Sequence, residues 1–335
     1  MRKITIIGSG SWGVALAIHL AKLGHKIKMW SFSKEEADLI NNEKKCKFLP
    51  KVTLPEEIEC CLDYKEAIEG SEIILHVTPS KFTRSTVSEY KKYVTNQPII
   101  ICSKGFERET LLPLDEVIKQ EMPEAKIGVL SGPSHAEEVG RKLPTTCVIG
   151  AKTKKTAEYL QSAFINKVFR VYTSPDILGI ELGGSLKNVI ALAAGIADGL
   201  GYGDNTKAAL ITRGIAEIAR LGVKMGGKIE TFTGLTGIGD LIVTCASVHS
   251  RNRKAGYLIG QGRSMQEAMD EVQMVVEGVY SAKAAAKLAK KYDVPMPIVE
   301  EVNKVLFEGK SPAEAVDDLM LRESRSEHRA LQWEK

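Results

Sequence analysis

The sequence lacks the usual marks of a metalloprotein, a disulfide-rich protein or a membrane protein. Its six cysteines form no Cys-x-x-Cys pair, and its six histidines show no metal-ligand spacing. Both observations argue against a structural zinc site and a disulfide framework. No uninterrupted apolar run approaches the roughly 18 residues of a membrane-spanning helix. We therefore predict no metal site, no membrane insertion and a reducing, cytoplasmic location.

An excess of charge of one sign is also missing. Lys and Arg number 46 against 42 Asp and Glu, a net charge of +4, which is too small to indicate a nucleic-acid-binding protein. Hydrophobic residues make up 44% and charged residues 26% of the chain, as is ordinary for a globular protein. A length of 335 residues predicts about two domains.

The first half of the sequence alternates between strand and helix patterns. Arg2-Lys3 before an apolar stretch is reminiscent of a signal peptide, but three glycines and two serines interrupt that stretch. A strand, a glycine turn and a helix explain it better. The strands are predicted at 3–8, 26–31, 71–79, 98–105, 126–133, 145–150 and 169–174. Helices are predicted at 11–23, 34–45 and 111–122. This alternation predicts an α/β fold, with a Rossmann-type, doubly wound parallel sheet.

The second half carries helix-period apolar residues only. Helices are predicted at 179–199, 206–222, 264–274, 277–292, 296–308 and 312–322. Ser311, Pro312 and Glu314 mark the start of the last one. We therefore predict a dinucleotide-binding domain over residues 1–177 and an all-helical, substrate-binding C-terminal domain over residues 178–335.

Residues 8–13 form the motif Gly-x-Gly-x-x-Gly between a predicted strand and a predicted helix. In that context the motif indicates a dinucleotide site. Gly8 would permit the tight turn, Gly10 would let the backbone approach a pyrophosphate, and Gly13 would allow close packing of helix on strand. A plain strand–helix turn is the alternative.

The end of the second strand bears on the choice of nucleotide. An NAD-selective site often places an acidic residue there, whereas this chain has Trp30-Ser31-Phe32-Ser33-Lys34. Ser31, Ser33 and Lys34 could accept a 2′-phosphate. The cofactor is predicted to be NAD or NADP, with acceptance of NADP favoured, unless these residues merely solvate a loop.

Two lysines are candidates for catalysis. Lys104 directly follows a buried strand, at the sheet edge where open α/β folds bind ligands. Lys187 and Asn188 lie inside an apolar helix of small residues, where desolvation would lower the pKa of the ammonium. In each case a solvent-facing surface lysine is the alternative.

Two further polar segments follow. Glycines surround Asp240 in a predicted tight loop, where this residue could simply cap the next helix. Ser250-Arg251-Asn252-Arg253 combines a guanidinium with an amide and a hydroxyl, which suits a phosphate or a carboxylate. A solvated basic turn is the alternative for this segment.

Together these segments resemble one family, the bacterial-type NAD(P)-dependent sn-glycerol-3-phosphate dehydrogenases. The resemblance runs from residue 4 to about residue 323. The glycine motif is unspecific, but the 181–214 stretch and the GIGDL and SRNR pair are specific. The matching stretches are GSGSWG (8–13), CSKG (102–105), GPSHAEEV (132–139), 181–214, GLTGIGDLIVTC (234–245), SRNRKAG (250–256), VEGVYSAKA (276–284) and LFEGKSPAEAV (306–316).

The resemblance implies reversible hydride transfer between NAD(P)H and dihydroxyacetone phosphate, a phosphorylated triose, for glycerophospholipid synthesis. It implies that Lys187 is the catalytic acid and base, that Lys104 is a second cation and that Asp240 orients the ammonium. The substrate-binding residues it implies are Lys104, Gly132, Ser134, Lys187, Asn188, Asp240, Thr244, Ser250, Arg251 and Asn252. The cofactor-binding residues are Gly8, Gly10, Ser11, Trp12, Gly13, Phe32, Ser33, Lys104, Ala136, Arg251, Val275 and Glu277.

Two other functions stay open at this point. A related reductase of the ketopantoate or hydroxyisobutyrate type would share the fold and a helical-domain lysine. A non-catalytic NAD(P)-sensing regulator would keep the glycine turn but need neither Lys187 nor Asp240. Small residues over 190–199 could pack within one domain or against a second subunit in a homodimer.

Overall fold

A computed structural model describes residues 1–324, 326–327 and 334. The predicted tail of the helical domain beyond residue 324 lies mostly outside these described residues. The N-terminal half is built on one eight-stranded sheet with the strand order β3-β2-β1-β4-β5-β6-β7-β8. Its strands are β1 (Lys3–Ile7), β2 (Lys26–Trp30), β3 (Glu59–Cys61), β4 (Ile73–His76), β5 (Ile99–Ile101), β6 (Ile127–Ser131), β7 (Thr145–Ala151) and β8 (Phe169–Ser174).

The first six strands run parallel, β7 is antiparallel to β6, and β8 is parallel to β7. Strands β1, β4 and β5 are nearly continuous hydrophobic runs because both faces of a parallel sheet are covered by helices. The strand order reverses between β1 and β4. A crevice opens at the carboxyl ends of the strands at such a switch point. The predicted Rossmann-type, mostly parallel sheet is confirmed.

Seven helices accompany the sheet. They are α1 (Ser11–Ala21), α2 (Lys34–Asp38), α3 (Tyr64–Ile68), α4 (Thr83–Tyr90), α5 (Leu114–Glu121), α6 (Ala136–Gly140) and α7 (Lys154–Gln161). A π-helical turn over Leu39–Glu43 continues α2, and 3₁₀ turns lie at Ser80–Phe82 and Lys91–Tyr93.

The C-terminal half is helical, as predicted. Its helices are α8 (Ile177–Gly199), α9 (Asp204–Lys224), α10 (Ile229–Phe232), α11 (Asp240–Ala246), α12 (Arg251–Gly260), α13 (Met265–Val272), α14 (Glu277–Tyr292), α15 (Pro297–Phe307) and α16 (Pro312–Met320). Ser311 caps α16 in a capping box with Glu314, as its sequence predicts.

Helix α8 is the central helix of this half. An 18-residue window within it is long and apolar enough for a membrane span, yet 89% of that window is buried inside the protein. We therefore interpret α8 as a core helix. Its small residues pack within the domain: a Cβ added to Gly195 would lie 2.1 Å from the Arg253 carbonyl oxygen of α12, and one added to Gly199 would lie 2.2 Å from that of Tyr257.

Several predictions of secondary structure were wrong or incomplete. Strand β3 was missed because only three residues pair with β2. Residues 233–241 were predicted as a tight loop, but Leu235–Gly239 form a π-helical turn that leads directly into α11. The SRNR segment is the start of α12, capped by Ser250, and not a solvated turn.

Candidate active site

A cleft of about 1190 Å³ lies between the carboxyl ends of the strands and the helical half. It extends from the glycine turn after β1 to helices α8, α11 and α12. Every predicted site residue except Gly132 lines it, although these residues come from positions between 8 and 277 of the chain. The fold therefore brings the predicted cofactor and substrate residues into one cavity.

The glycine turn fits a dinucleotide. Gly8 has φ of +125°, and a Cβ there would lie 2.8 Å from the Val77 carbonyl oxygen. A Cβ on Gly13 would lie 2.2 Å from the Gly8 carbonyl oxygen, whereas one on Gly10 would project into open space. Helix α1 has no side-chain cap at Gly10, so its first N–H groups and its positive dipole end are available to a phosphate.

An ion cluster of two lysines and one aspartate lies at the other end of the cleft. The Lys187 ammonium donates to Oδ1 of Asp240 at 2.5 Å, and the Lys104 ammonium donates to Oδ2 at 2.6 Å. Lys187 is 5% exposed and Asp240 is 1% exposed. The alternative of a solvent-facing Lys187 is therefore wrong.

Three further hydrogen bonds fix the geometry of this cluster. The Lys187 ammonium also donates to Oγ1 of Thr244 at 2.6 Å, and Thr244 donates to the Asp240 carbonyl oxygen one turn back on α11. The Gly105 N–H donates to the hydroxyl of Ser185 at 2.8 Å, which ties the loop of Lys104 to helix α8. Both ammonium groups are thereby held on opposite oxygens of one carboxylate.

Burial and the neighbouring charges shift the pKa values of Lys187 and Asp240. Burial lowers the pKa of Lys187 to about 8, with Lys104 adding to the decrease and Asp240 opposing it. Burial raises the pKa of Asp240, but the two lysines outweigh this effect and hold it below its usual value. Near neutral pH the Lys187 amine is therefore mostly protonated, and it lies beside an ionised Asp240 carboxylate.

Asparagines join α8 to α12 beside the cluster. The side-chain amide of Asn252 donates to Oδ1 of Asn188 at 2.9 Å, and Oδ1 of Asn252 accepts from the Gly278 N–H at 2.8 Å. Both asparagine side chains are buried. They place the start of α12, and with it Arg251, at the wall of the cleft.

The remaining predicted residues surround this core. Ser134 donates to the Gly132 carbonyl oxygen at 2.9 Å, and the Lys104 ammonium lies 3.4 Å from the same oxygen. The Gly132 carbonyl oxygen therefore contacts Ser134 and Lys104, although Gly132 itself does not line the cleft. Arg253 forms an ion pair with Asp198, which leaves Arg251 as the arginine of the segment that lines the cleft.

On the cofactor side, Phe32 is 92% exposed beside the glycine turn. The Glu277 carboxylate accepts a hydrogen bond from the Ser80 hydroxyl at 3.0 Å. Burial raises the pKa of Glu277. Ala136 and Val275 also line the cleft on this side.

The structure corrects two expectations about the site. Asp240 does not cap α11: Gly239 is the N-cap residue, and the Asp240 side chain contacts the lysines instead. A carboxylate also stands near the end of β2, because Glu36 in the first turn of α2 reaches back to Ser9 and Ser31. The Ser31 hydroxyl is buried in this network and is not free for a phosphate as predicted. Ser33 caps α2 by accepting the Glu36 N–H, which leaves its own O–H to donate into the cleft.

Sequence reasoning missed Glu36 and Ser185. Ser185 stands two residues before Lys187 in the matching 181–214 stretch, so the resemblance could have indicated that it lies near the site. No feature of the sequence indicates Glu36 as a site residue, because its position in the cleft depends on how α2 turns back toward β1.

Comparisons with known proteins identify similar chains. Models of the N-terminal and C-terminal parts of NAD-dependent glycerol-3-phosphate dehydrogenase match residues 3–157 and 176–317. An Agathobacter rectalis protein named glycerol-3-phosphate dehydrogenase (NAD(P)+) is 59% identical over 335 residues, covering 99% of this chain and 100% of the relative. A protein of the same name from Fusobacterium nucleatum is 57% identical over 332 residues, covering 98% and 99%. A crystal structure of glycerol-3-phosphate dehydrogenase from Coxiella burnetii superposes with a TM-score of 0.93 at 37% identity, covering 96% and 99%.

Proposed function

The chain belongs to the NAD-dependent glycerol-3-phosphate dehydrogenase family, and from this premise we propose that it interconverts dihydroxyacetone phosphate and sn-glycerol 3-phosphate with NAD(H) or NADP(H). The observation that carries the proposal is the cluster of Lys104, Asp240 and Lys187 at the far end of a cleft that begins at a dinucleotide-type glycine turn.

The nicotinamide cofactor, when bound, supplies the hydride. Gly8, Gly10 and the first turn of α1 would hold its pyrophosphate, and Phe32 and Glu277 would border its two ends. The protein residues at the cluster then have two tasks, which are to hold the triose phosphate and to move one proton.

Lys187 moves the proton. Its ammonium has three N–H groups, of which two donate to Asp240 and Thr244. The third is available for the C2 oxygen of dihydroxyacetone phosphate. Lys187 would give this proton to the C2 oxygen as that oxygen gains negative charge during reduction, which would leave a neutral amine. In the reverse direction the amine removes the proton of the hydroxyl. Such acid–base catalysis contributes about 10²–10⁴-fold.

The other charged groups bind and position. Lys104 adds positive charge beside the reacting oxygen, and Asp240 fixes the orientation of both ammonium groups. Arg251, with Asn252 and Ser250, would bind the phosphate through charge-assisted hydrogen bonds. A substrate that is a dianion near neutral pH matches the sign of this site.

The assay that tests this proposal follows nicotinamide absorbance at 340 nm with NADH or NADPH and one of two substrates. We expect oxidation with dihydroxyacetone phosphate and none with ketopantoate at equal concentration. Ketopantoate offers Arg251 a singly charged carboxylate and lacks the doubly charged phosphate that this side of the cleft would bind. A preference for ketopantoate would indicate the related reductase, and no oxidation with either substrate would favour the non-catalytic regulator.

We extend the proposal to the cellular setting. The product would serve glycerophospholipid synthesis. All six cysteines are buried and free, which supports a reducing compartment such as the cytoplasm. The division at residue 177, the homodimer, and the expected lack of nucleic-acid binding and membrane insertion stay predictions.

A further inference from the structure

The carboxylate of Glu36 lies at the end of the cleft formed by the glycine turn. Glu36 stands in the first turn of α2, where the Ser33 hydroxyl accepts from its N–H at 3.3 Å. Its side chain lines the cleft together with Phe32 and Gly10. In Rossmann-type sheets the ribose 2′ position of the nucleotide lies here, at the carboxyl end of β2.

Two buried hydroxyls orient this carboxylate. The Ser9 hydroxyl, within the glycine turn, donates to Oε2 of Glu36. The Ser31 hydroxyl, at the end of β2, lies 2.7 Å from that of Ser9 and 3.4 Å from the same Oε2. Both serines are buried. Since both contacts involve Oε2, the second oxygen, Oε1, is left to accept a hydrogen bond from a ligand.

Within residues 1–324, no lysine, arginine or histidine forms an ion pair with the Glu36 carboxylate. The neighbouring Lys34 is exposed and does not line the cleft. A 2′-phosphate placed against Glu36 would meet like charge in a partly desolvated site, whereas a 2′-hydroxyl would meet a hydrogen-bond acceptor.

We propose that Glu36, held by Ser9 and Ser31, is a specificity determinant that favours NAD(H) over NADP(H) by accepting the ribose 2′-hydroxyl and repelling a 2′-phosphate. This inference rests on the dinucleotide use in the proposed function. It extends that function by assigning the preference for NAD(H) to Glu36, which lies in helix α2 and not at the end of strand β2.

The test measures binding without any triose substrate. Trp12 and Trp30 both line the cleft, so energy transfer from tryptophan to the dihydronicotinamide reports binding of NADH and NADPH with the same signal. Kd values for both nucleotides are measured for the wild type, Glu36→Gln and Glu35→Gln. Glu35 stands in the same helical turn but is exposed and outside the cleft, which makes Glu35→Gln the control for a general loss of negative charge.

We expect the wild type to bind NADH at least about tenfold more tightly than NADPH. Glu36→Gln should reduce this ratio to about threefold or less, mainly by tighter binding of NADPH, and Glu35→Gln should keep the wild-type ratio. Ser9→Ala, which removes the hydroxyl that orients the carboxylate, should lower the ratio by a smaller factor.

An unchanged ratio in Glu36→Gln, an equal decrease in Glu35→Gln, or tighter binding of NADPH by the wild type would overturn the inference. Nucleotide discrimination that depends on Glu36 in a protein that does not reduce dihydroxyacetone phosphate would support this inference while refuting the proposed reaction. Failure to bind either nucleotide would refute both.

Discussion

At the scale of single residues, the ammonium of Lys187 shows how burial and neighbouring charges act against each other. Burial and Lys104 disfavour the charged form, whereas Asp240 favours it, and the result is a pKa of about 8. A general acid and base works best when its pKa lies near the working pH. The ion cluster therefore suits a reaction that needs Lys187 as an acid in one direction and as a base in the other.

This titration predicts opposite pH profiles for the two directions. In the proposed mechanism, reduction of dihydroxyacetone phosphate needs the ammonium form of Lys187, so its kcat/KM should fall as the pH rises through about 8. Oxidation of glycerol 3-phosphate needs the neutral amine, so its kcat/KM should rise over the same range. Initial rates between pH 6 and 10 measure both profiles, and profiles that change in the same direction would contradict the assignment.

Asp240→Asn provides the control for this experiment. Asp240 raises the pKa of Lys187, so its neutralisation should move the inflection in both profiles to lower pH. An inflection that stays in place would mean that another group titrates.

Lys187 is easier to identify as a site residue from the sequence than Asp240. Lys187 stands out because a lysine inside an apolar helix is unusual, and the matching 181–214 stretch supported its role. Asp240 was harder to interpret, because a carboxylate before a helix is more often a cap. Only the three-dimensional approach of α11 to α8 shows that its side chain contacts two lysines.

At the scale of elements, helices α8 and α12 cross at unusually close range. A Cβ added to Gly256 would lie 2.2 Å from the Leu192 carbonyl oxygen, and one added to Gly260 would lie 2.3 Å from that of Ile196. Because the obstacles are backbone atoms, a side chain there must separate the helices. This crossing positions Lys187 on one helix and Arg251 on the other.

Gly256→Ala should therefore lower the free energy of unfolding by about 1–3 kcal/mol through overpacking, despite the better helix propensity of alanine. The midpoint of urea unfolding measures this change. Gly239→Ala is the matched control, because Gly239 also has helical dihedrals (φ −63°, ψ −50°) and a Cβ there would meet no atom closer than 3.7 Å. The control should change the midpoint little, and a wild-type midpoint for Gly256→Ala would contradict the close crossing.

Element prediction from sequence succeeded where periodicity was long and failed where elements were short. Helix α14 was predicted with its observed bounds, and α8 to within two residues. Strand β3 and helix α10 were missed because three or four residues carry no period. Helices α4, α7 and α12, of eight to ten residues, were not predicted either. The turn of α2 toward β1, which brings Glu36 to the cleft, depends on tertiary packing and not on local propensity.

At the scale of the whole molecule, the site exists only where the sheet half and the helical half meet. Lys104 follows β5, whereas Asp240 and Lys187 belong to α11 and α8. The Ser80 hydroxyl joins the 3₁₀ turn before α4 to Glu277 at the start of α14 in the same way. Fold class and the split into two halves could be read from the sequence, but the convergence of charges across the cleft required the structure.

The proposed role of Lys187 is tested by the turnover of Lys187→Ala with dihydroxyacetone phosphate and NADH, measured together with its Kd for NADH. Lys224→Ala, an exposed lysine outside the cleft, is the control. We expect kcat to fall at least about 10²-fold in Lys187→Ala while NADH binding stays near that of the wild type. Undiminished turnover in Lys187→Ala would show that the proton comes from elsewhere and would contradict the account.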